Sequence, residues 1–176
     1  YKTLDDVFEQ VEFFVDAVSD YKSDFVLFPE YFNAPLMAKF NHLGEAQSIR
    51  GLAQYTEEIR ERFVNLAISY NINIITGSMP LLKEDGALYN VGYLIRRDGS
   101  YEMYEKVHVT PDEQKSWGLS GGKMVKTFDT DCARIGVLIC YDVEFPELSR
   151  IMADQGMQIL FVPFLTDTQN GYSRVR

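Results

Sequence analysis

Cys140 closes the apolar run Ile135-Gly136-Val137-Leu138-Ile139, and a turn, Tyr141-Asp142-Val143-Glu144-Phe145, leads from it to Pro146. A strand, turn and helix in that order lift a side chain to the carboxyl edge of a sheet, where sites of α/β proteins form. A helix N-terminus and free backbone N–H groups beside Cys140 would favour a thiolate and an oxyanion. Taken alone, a cysteine there reads more readily as a small buried hydrophobe. Glu30 follows the run Phe25-Val26-Leu27-Phe28-Pro29. A carboxylate at the end of a buried strand loses solvation, and its pKa rises toward a range useful for proton transfer. Lys106 ends Tyr101-Glu102-Met103-Tyr104-Glu105, and Glu113 follows Thr110-Pro111-Asp112. A fixed ammonium can hold a developing oxyanion; a solvated surface charge is the plainer reading of the lysine, and a loop acid that of Glu113. His108 lies two positions after Lys106, so a Cys–His pair with Cys140 is a second arrangement to weigh.

The elements that must hold these residues follow from hydrophobic periodicity. Leu4, Val7, Phe8, Val11, Phe14, Val15 and Val18 recur at helical spacing and predict a helix over 4–19, with Thr3 as its N-cap. The run 25–28 is wholly apolar, as in a strand buried on both faces. A second helix starts at Thr56, carries Ile59, Phe63, Leu66, Ala67 and Tyr70 on one face, and closes at Asn71. Strands are predicted over 72–76, 88–96, 101–107, 125–128, 133–139 and 157–164, with a hairpin turn at Arg97-Asp98-Gly99-Ser100 and a helix over 146–155. Residues 33–54 read as loop and a short helix, and the last residues show no closing element. The result is an α/β domain with a mixed sheet covered by helices.

Composition narrows the function classes. Of 176 residues, 46% are hydrophobic and 24% charged, the balance of a folded domain. A net charge of −9, from 17 basic and 26 acidic residues, opposes general nucleic-acid binding and docking on anionic membrane. No apolar run approaches the ~20 residues that span a bilayer, and the N-terminus does not resemble a signal peptide. Cys132 and Cys140 lie at the two ends of one extended run, about 26 Å apart, too far for a disulfide. Two free thiols suit a reducing compartment and predict a cytoplasmic location. Neither cysteine sits in a C-x-x-C arrangement, so no metal site is expected. Gly118, Gly121 and Gly122 lack the strand–loop–helix setting of a phosphate cradle.

Three ordered segments carry a resemblance. Phe28-Pro29-Glu30, then Glu105-Lys106-Val107-His108-Val109-Thr110-Pro111-Asp112-Glu113, then Ile139-Cys140-Tyr141-Asp142-Val143-Glu144-Phe145-Pro146-Glu147-Leu148-Ser149-Arg150 resemble the nitrilase superfamily of carbon–nitrogen hydrolases. Leu88-Tyr89-Asn90 and Leu160-Phe161-Val162-Pro163 add to it. The resemblance implies an α-β-β-α sandwich, often paired into dimers through outer helices near the nucleophile. It implies a Glu–Lys–Cys triad at Glu30, Lys106 and Cys140, assisted by Glu113, with no metal or organic cofactor. Substrates of the family are small amides, N-carbamoyl compounds and, in a minority branch, nitriles. In that scheme Lys106 and the backbone N–H of Tyr141 hold the oxyanion, each such donor being worth roughly 3–4 kcal/mol of barrier. His108 takes a structural place. Tyr31, Tyr141, Phe164 and Thr166 are the residues expected to shape substrate choice. A family domain begins with a strand before the first helix and continues beyond residue 176. The chain 1–176 therefore reads as a single domain truncated at both ends, about two thirds of the whole. Its last ten residues resemble a branch fused to an acetyltransferase domain. A catalytically inactive scaffold or interaction piece is the alternative function, and a Cys–His thiol hydrolase a third.

Overall fold

The computed structural model describes residues 3–166 and 169–175. Helix α1 (Leu4–Asp20) starts as expected: Thr3 and Asp6 exchange side-chain to backbone bonds in a capping box. Strand β1 (Phe25–Leu27), a 3-10 turn (Ala34–Phe40), α2 (Glu45–Ala53), α3 (Thr56–Ser69) and β2 (Asn73–Ile75) follow. Next come β3 (Met79–Leu82), β4 (Leu88–Ile95), β5 (Tyr101–Glu105), a π-helical turn (Glu113–Trp117) and β6 (Leu119–Ser120). The second half holds β7 (Thr127–Asp129), β8 (Arg134–Val137), a 3-10 turn (Cys140–Glu144), α4 (Pro146–Asp154), β9 (Ile159–Phe161) and α5 (Gln169–Val175).

The layers form an α-β-β-α sandwich. In the first sheet β1 runs parallel to β2, β2 and β3 both run antiparallel to β4, and β5 and β6 take the other side of β4. β2 and β3 are one extended path broken at Gly77, whose positive φ of 69° turns the chain. A Cβ at Gly77 would strike the Phe28 and Pro29 carbonyls, so glycine lets this path pass directly under the segment that carries Glu30. The second sheet is β7-β8-β9. Ile75, Leu94 and Tyr104 of the first sheet meet Phe128, Ile135, Val137 and Ile139 of the second in a core between the sheets. α1 and α3 cover the outer face of the first sheet. There Phe63 of α3 touches Phe8, Phe28 and Phe32, with ring centroids 5.1 to 5.4 Å apart. α4 covers the second sheet, with Met152 over Gly136.

Several expectations need correction. Phe14 is 54% exposed: the helix turns it, with Phe13, away from the core stripe. β1 is not buried on both faces, for it is the edge of its sheet and Leu27 is 39% exposed. Strand β3 was not expected; it contains Pro80 and lies at a sheet edge, where a missing N–H costs no ladder bond. Cys132 sits in the β7–β8 hairpin loop rather than in the strand. The chain does carry a late helix, α5. Asp167, Thr168 and Arg176, part of the stretch resembling the acetyltransferase-fused branch, lie outside the described residues. No helix among the described residues is long and apolar enough to cross a membrane.

Candidate active site

Glu30, Lys106 and Cys140 each stand just past the end of a strand. Phe28 N–H still bonds the Ile75 carbonyl (2.9 Å), so Glu30 leaves the sheet two residues later, and Tyr31 turns the chain with φ of 50°. Lys106 follows β5, with its N–H on the Asn90 carbonyl (2.9 Å) and its own carbonyl accepting from Gly122 (2.7 Å). Glu113 opens the π-helical turn; Thr110 N–H donates to its Oε2 (2.7 Å) and Glu113 N–H donates to Thr110 Oγ1 (3.2 Å). Cys140 N–H bonds the Pro163 carbonyl (2.9 Å), which extends the parallel β8–β9 pairing by three residues. The cysteine then adopts φ of 48°, a left-handed conformation that costs a non-glycine residue about 1–3 kcal/mol. That sharp turn into a 3-10 helix holds the side chain off the sheet edge, as nucleophile turns of α/β hydrolases do.

These strand ends converge. Lys106 is 1% exposed, and its Nζ lies 2.8 Å from Glu30 Oε1 and 2.8 and 2.9 Å from the two Glu113 oxygens. Glu30 is 3% exposed and also accepts from Asn90 Nδ2 (3.0 Å) and Leu165 N–H (3.1 Å). The Tyr31 hydroxyl donates to Glu113 Oε1 (2.9 Å). Cys140 Sγ lies 3.9 Å from the Leu165 carbonyl, close enough to Glu30 that thiol and carboxylate perturb each other. Glu30, Tyr31, Lys106, Glu113, Cys140 and Leu165 line one cleft of about 730 Å³, together with Tyr141, Thr166, Trp117 and Arg174.

Burial and charge set the protonation states. Loss of water raises the Glu30 pKa, against the lowering pull of Lys106. For Lys106 burial opposes the charged form, but the two carboxylates outweigh it and its pKa rises. Burial, then the Glu30 charge, push the Cys140 thiol up to about 12, so it rests protonated. Burial and the Glu30 charge together outweigh the lowering pull of Lys106. Burial and the charges of Glu113 and Glu30 hold the Tyr31 phenol neutral and donating.

The structure brings together Glu30, Lys106, Glu113 and Cys140, with Tyr141 and Thr166 on the cleft wall. Phe164 does not line the cleft. It packs on Tyr172 of α5, with centroids 6.1 Å apart. His108 turns elsewhere: its Nδ1 lies 3.1 Å from Asp142 Oδ1 and its ring stacks on Phe145 at 3.7 Å. Sequence reasoning did not assign Asn90, the Leu165 N–H or Asp142. Asn90 and Asp142 stood in recognised segments without a role, whereas the Leu165 N–H is tied to the site only by a contact across 135 residues. Among the described residues no group of three or more His, Cys, Asp or Glu could hold a metal ion.

A family model for carbon-nitrogen hydrolases matches residues 1–175. The chain belongs to the carbon-nitrogen hydrolase family. Among relatives of this carbon-nitrogen hydrolase chain, the probable hydrolase YhcX of Bacillus subtilis is 48% identical over 167 residues, covering 95% of this chain and 32% of YhcX. The human omega-amidase NIT2 is 35% identical over 151 residues, covering 78% of this chain and 50% of NIT2. The chain therefore spans a third to a half of these relatives. Two solved structures share the fold. A carbon-nitrogen hydrolase from Helicobacter pylori G27 has a TM-score of 0.82 at 21% identity, over 99% of this chain and 62% of that one. A mutant of the amidase from Nesterenkonia sp. AN1, in complex with butyramide, has a TM-score of 0.78 at 21% identity, over 96% and 62%.

Proposed function

We propose that the protein hydrolyses a small amide or N-carbamoyl compound through a thioester on Cys140. The observation that carries this is a buried ammonium, Lys106, clamped between Glu30 and Glu113 beside a protonated thiol in one cleft. Glu30 takes the thiol proton as sulfur attacks the carbonyl carbon. The oxyanion is held by Lys106 and the Tyr141 N–H. Cys140 and Asp142 already give their N–H groups to the Pro163 and Ile139 carbonyls, which leaves Tyr141 as the backbone donor of the turn. The C–N bond breaks as Glu30 returns the proton to the leaving amine. Water then attacks the thioester and loses its proton to Glu30, and the sulfur regains that proton as the acid departs. Splitting a poor electrophile's hydrolysis in two is what a covalent nucleophile contributes. Glu113, saturated by Lys106, Tyr31 and Thr110, keeps the ammonium charged and aimed. No metal or organic cofactor enters these steps.

Amide-type chemistry is favoured by the names of the NIT2 relatives and of the Nesterenkonia neighbour. The single-domain reading of 1–176, a dimer formed through α4, where Ile151 is exposed, and a cytoplasmic location complete the proposal. The test is ammonia release from a panel of short amides and N-carbamoyl acids, with intact mass of Cys140 during turnover. Turnover with a transient acyl adduct, abolished in Cys140→Ala, is expected. A folded protein that releases nothing across the panel and forms no adduct would favour the inactive-scaffold reading. Turnover abolished by His108→Ala but not by Lys106→Ala would favour a Cys–His hydrolase.

A further inference from the structure

Asp142 has no part in the steps above, yet it is fully buried, two residues beyond the nucleophile. Its carboxylate accepts the backbone N–H of Val107 on Oδ2 (3.0 Å) and of His108 on Oδ1 (2.7 Å). The His108 Nδ1 reaches the same Oδ1 at 3.1 Å, and that ring is stacked flat against Phe145, 10° from parallel. Phe145 itself closes the nucleophile turn, its N–H on the Asp142 carbonyl (3.1 Å). The two N–H groups Asp142 receives belong to the two residues directly after Lys106. They have left the β4–β5 ladder, whose last pair is Val91 with Glu105, so they have no strand to bond.

The geometry points to Asp142 as the positioning residue that sets the distance from the Lys106 ammonium to the Cys140 sulfur. The lysine and the cysteine come from different sheets. The packing of Tyr104 on Phe128 joins those sheets but is apolar and non-directional, and the polar links from Arg96 to the Asp129 carbonyl (2.7 Å) and from Lys126 to Glu102 (2.8 Å) belong to residues outside the cleft. A buried carboxylate with two backbone donors is directional and short-ranged, and charge assistance strengthens each bond. It joins the backbone one residue past Lys106 to the backbone two residues past Cys140. His108 acts through Asp142, holding one oxygen in place and shielding it with its ring. This inference rests on the proposed pairing of Lys106 with Cys140 in one reaction.

The two halves of that pairing can be read separately. Alkylation of Cys140 by iodoacetamide develops no oxyanion; acylation by p-nitrophenyl acetate does, and p-nitrophenolate release follows it. In Asp142→Asn the amide must turn one N–H toward a backbone N–H, so the bidentate clamp fails. Cys140 alkylation is expected to stay within twofold of wild type while acylation slows at least tenfold. Equal losses in both would make Asp142 a general structural residue and overturn the inference, as would no loss in either. Should Asp142→Asn not fold, His108→Ala reads the same split at about threefold. His108→Asn, whose side-chain amide can take the Nδ1 place, is expected to restore acylation; a missing split, or no restoration, overturns the inference. A wild type that shows no Cys140-dependent acylation instead removes the Lys106–Cys140 pairing, and the inference with it.

Discussion

The floor of the cleft and its rim are built by different means. On the floor, Glu30, Lys106 and Glu113 are buried, and each is tied to partners from other elements: Asn90, Leu165, Tyr31 and Thr110. At the rim, Leu165 is 57% exposed, Arg174 is exposed, and Arg174 reaches Glu144 at 3.0 Å across the surface. The floor fixes reacting atoms in a low-dielectric place where one charge acts strongly on the next. In the proposed reaction the rim would meet the variable part of a substrate, which needs no such network.

Breaking the floor should produce the largest effects. Lys106→Ala leaves two buried carboxylates without their cation, which costs about 3–5 kcal/mol of stability. It should also lower kcat by roughly 10³-fold or more, the scale of a lost oxyanion donor; thermal unfolding and ammonia release measure the two. Phe63→Ala opens a cavity beneath the segment that carries Glu30 and should cost about 3–5 kcal/mol in denaturant unfolding. Tyr31→Phe removes one bond to Glu113 and should slow turnover about tenfold, close to one lost hydrogen bond. At the rim, Arg174→Ala should change KM for charged amides by less than about tenfold and leave kcat alone, as expected of uniform binding. Phe164→Ala, which lies off the cleft, should change neither.

Protonation sharpens the same contrast. Glu30 must be ionised to accept the thiol proton, so kcat/KM should fall with acid through one group whose pKa lies above the usual carboxylate value of 4.5. Because the folded pKa is raised, ionising Glu30 opposes folding: that stability is present at low pH and is lost as pH rises through the folded pKa. Glu30→Gln, free of this cost, should be at least as thermostable as wild type at pH 7 while inactive. With the thiol pushed up to about 12, Cys140 alkylation should still be rising at about pH 10. A plateau below about pH 9 would mean that burial and the Glu30 charge do not together hold the thiol up.

Much of this was legible in the sequence, for a physical reason. Reactive residues at strand ends sit inside continuous segments, and the apolar runs before Glu30 and Cys140 announce the strands that carry them. What the chain could not show is set by distant partners. The protonated state of Cys140 depends on Glu30, 110 positions away in the chain. The donors on Asp142 come from 34 and 35 residues upstream. The edge strand β3, with Pro80 inside it, was not expected, and Phe14 fitted a helical stripe that packing against α3 did not use. Local patterning gives elements; only the fold says which strand ends meet.

The most direct measurement is a crystal structure of Cys140→Ala with a short amide, butyramide, bound. The amide oxygen is expected within hydrogen-bonding distance of both Lys106 Nζ and the Tyr141 N–H, with the amide nitrogen toward Glu30. An oxygen directed at the His108 ring, or an amide seated away from the position of the missing sulfur, would contradict it.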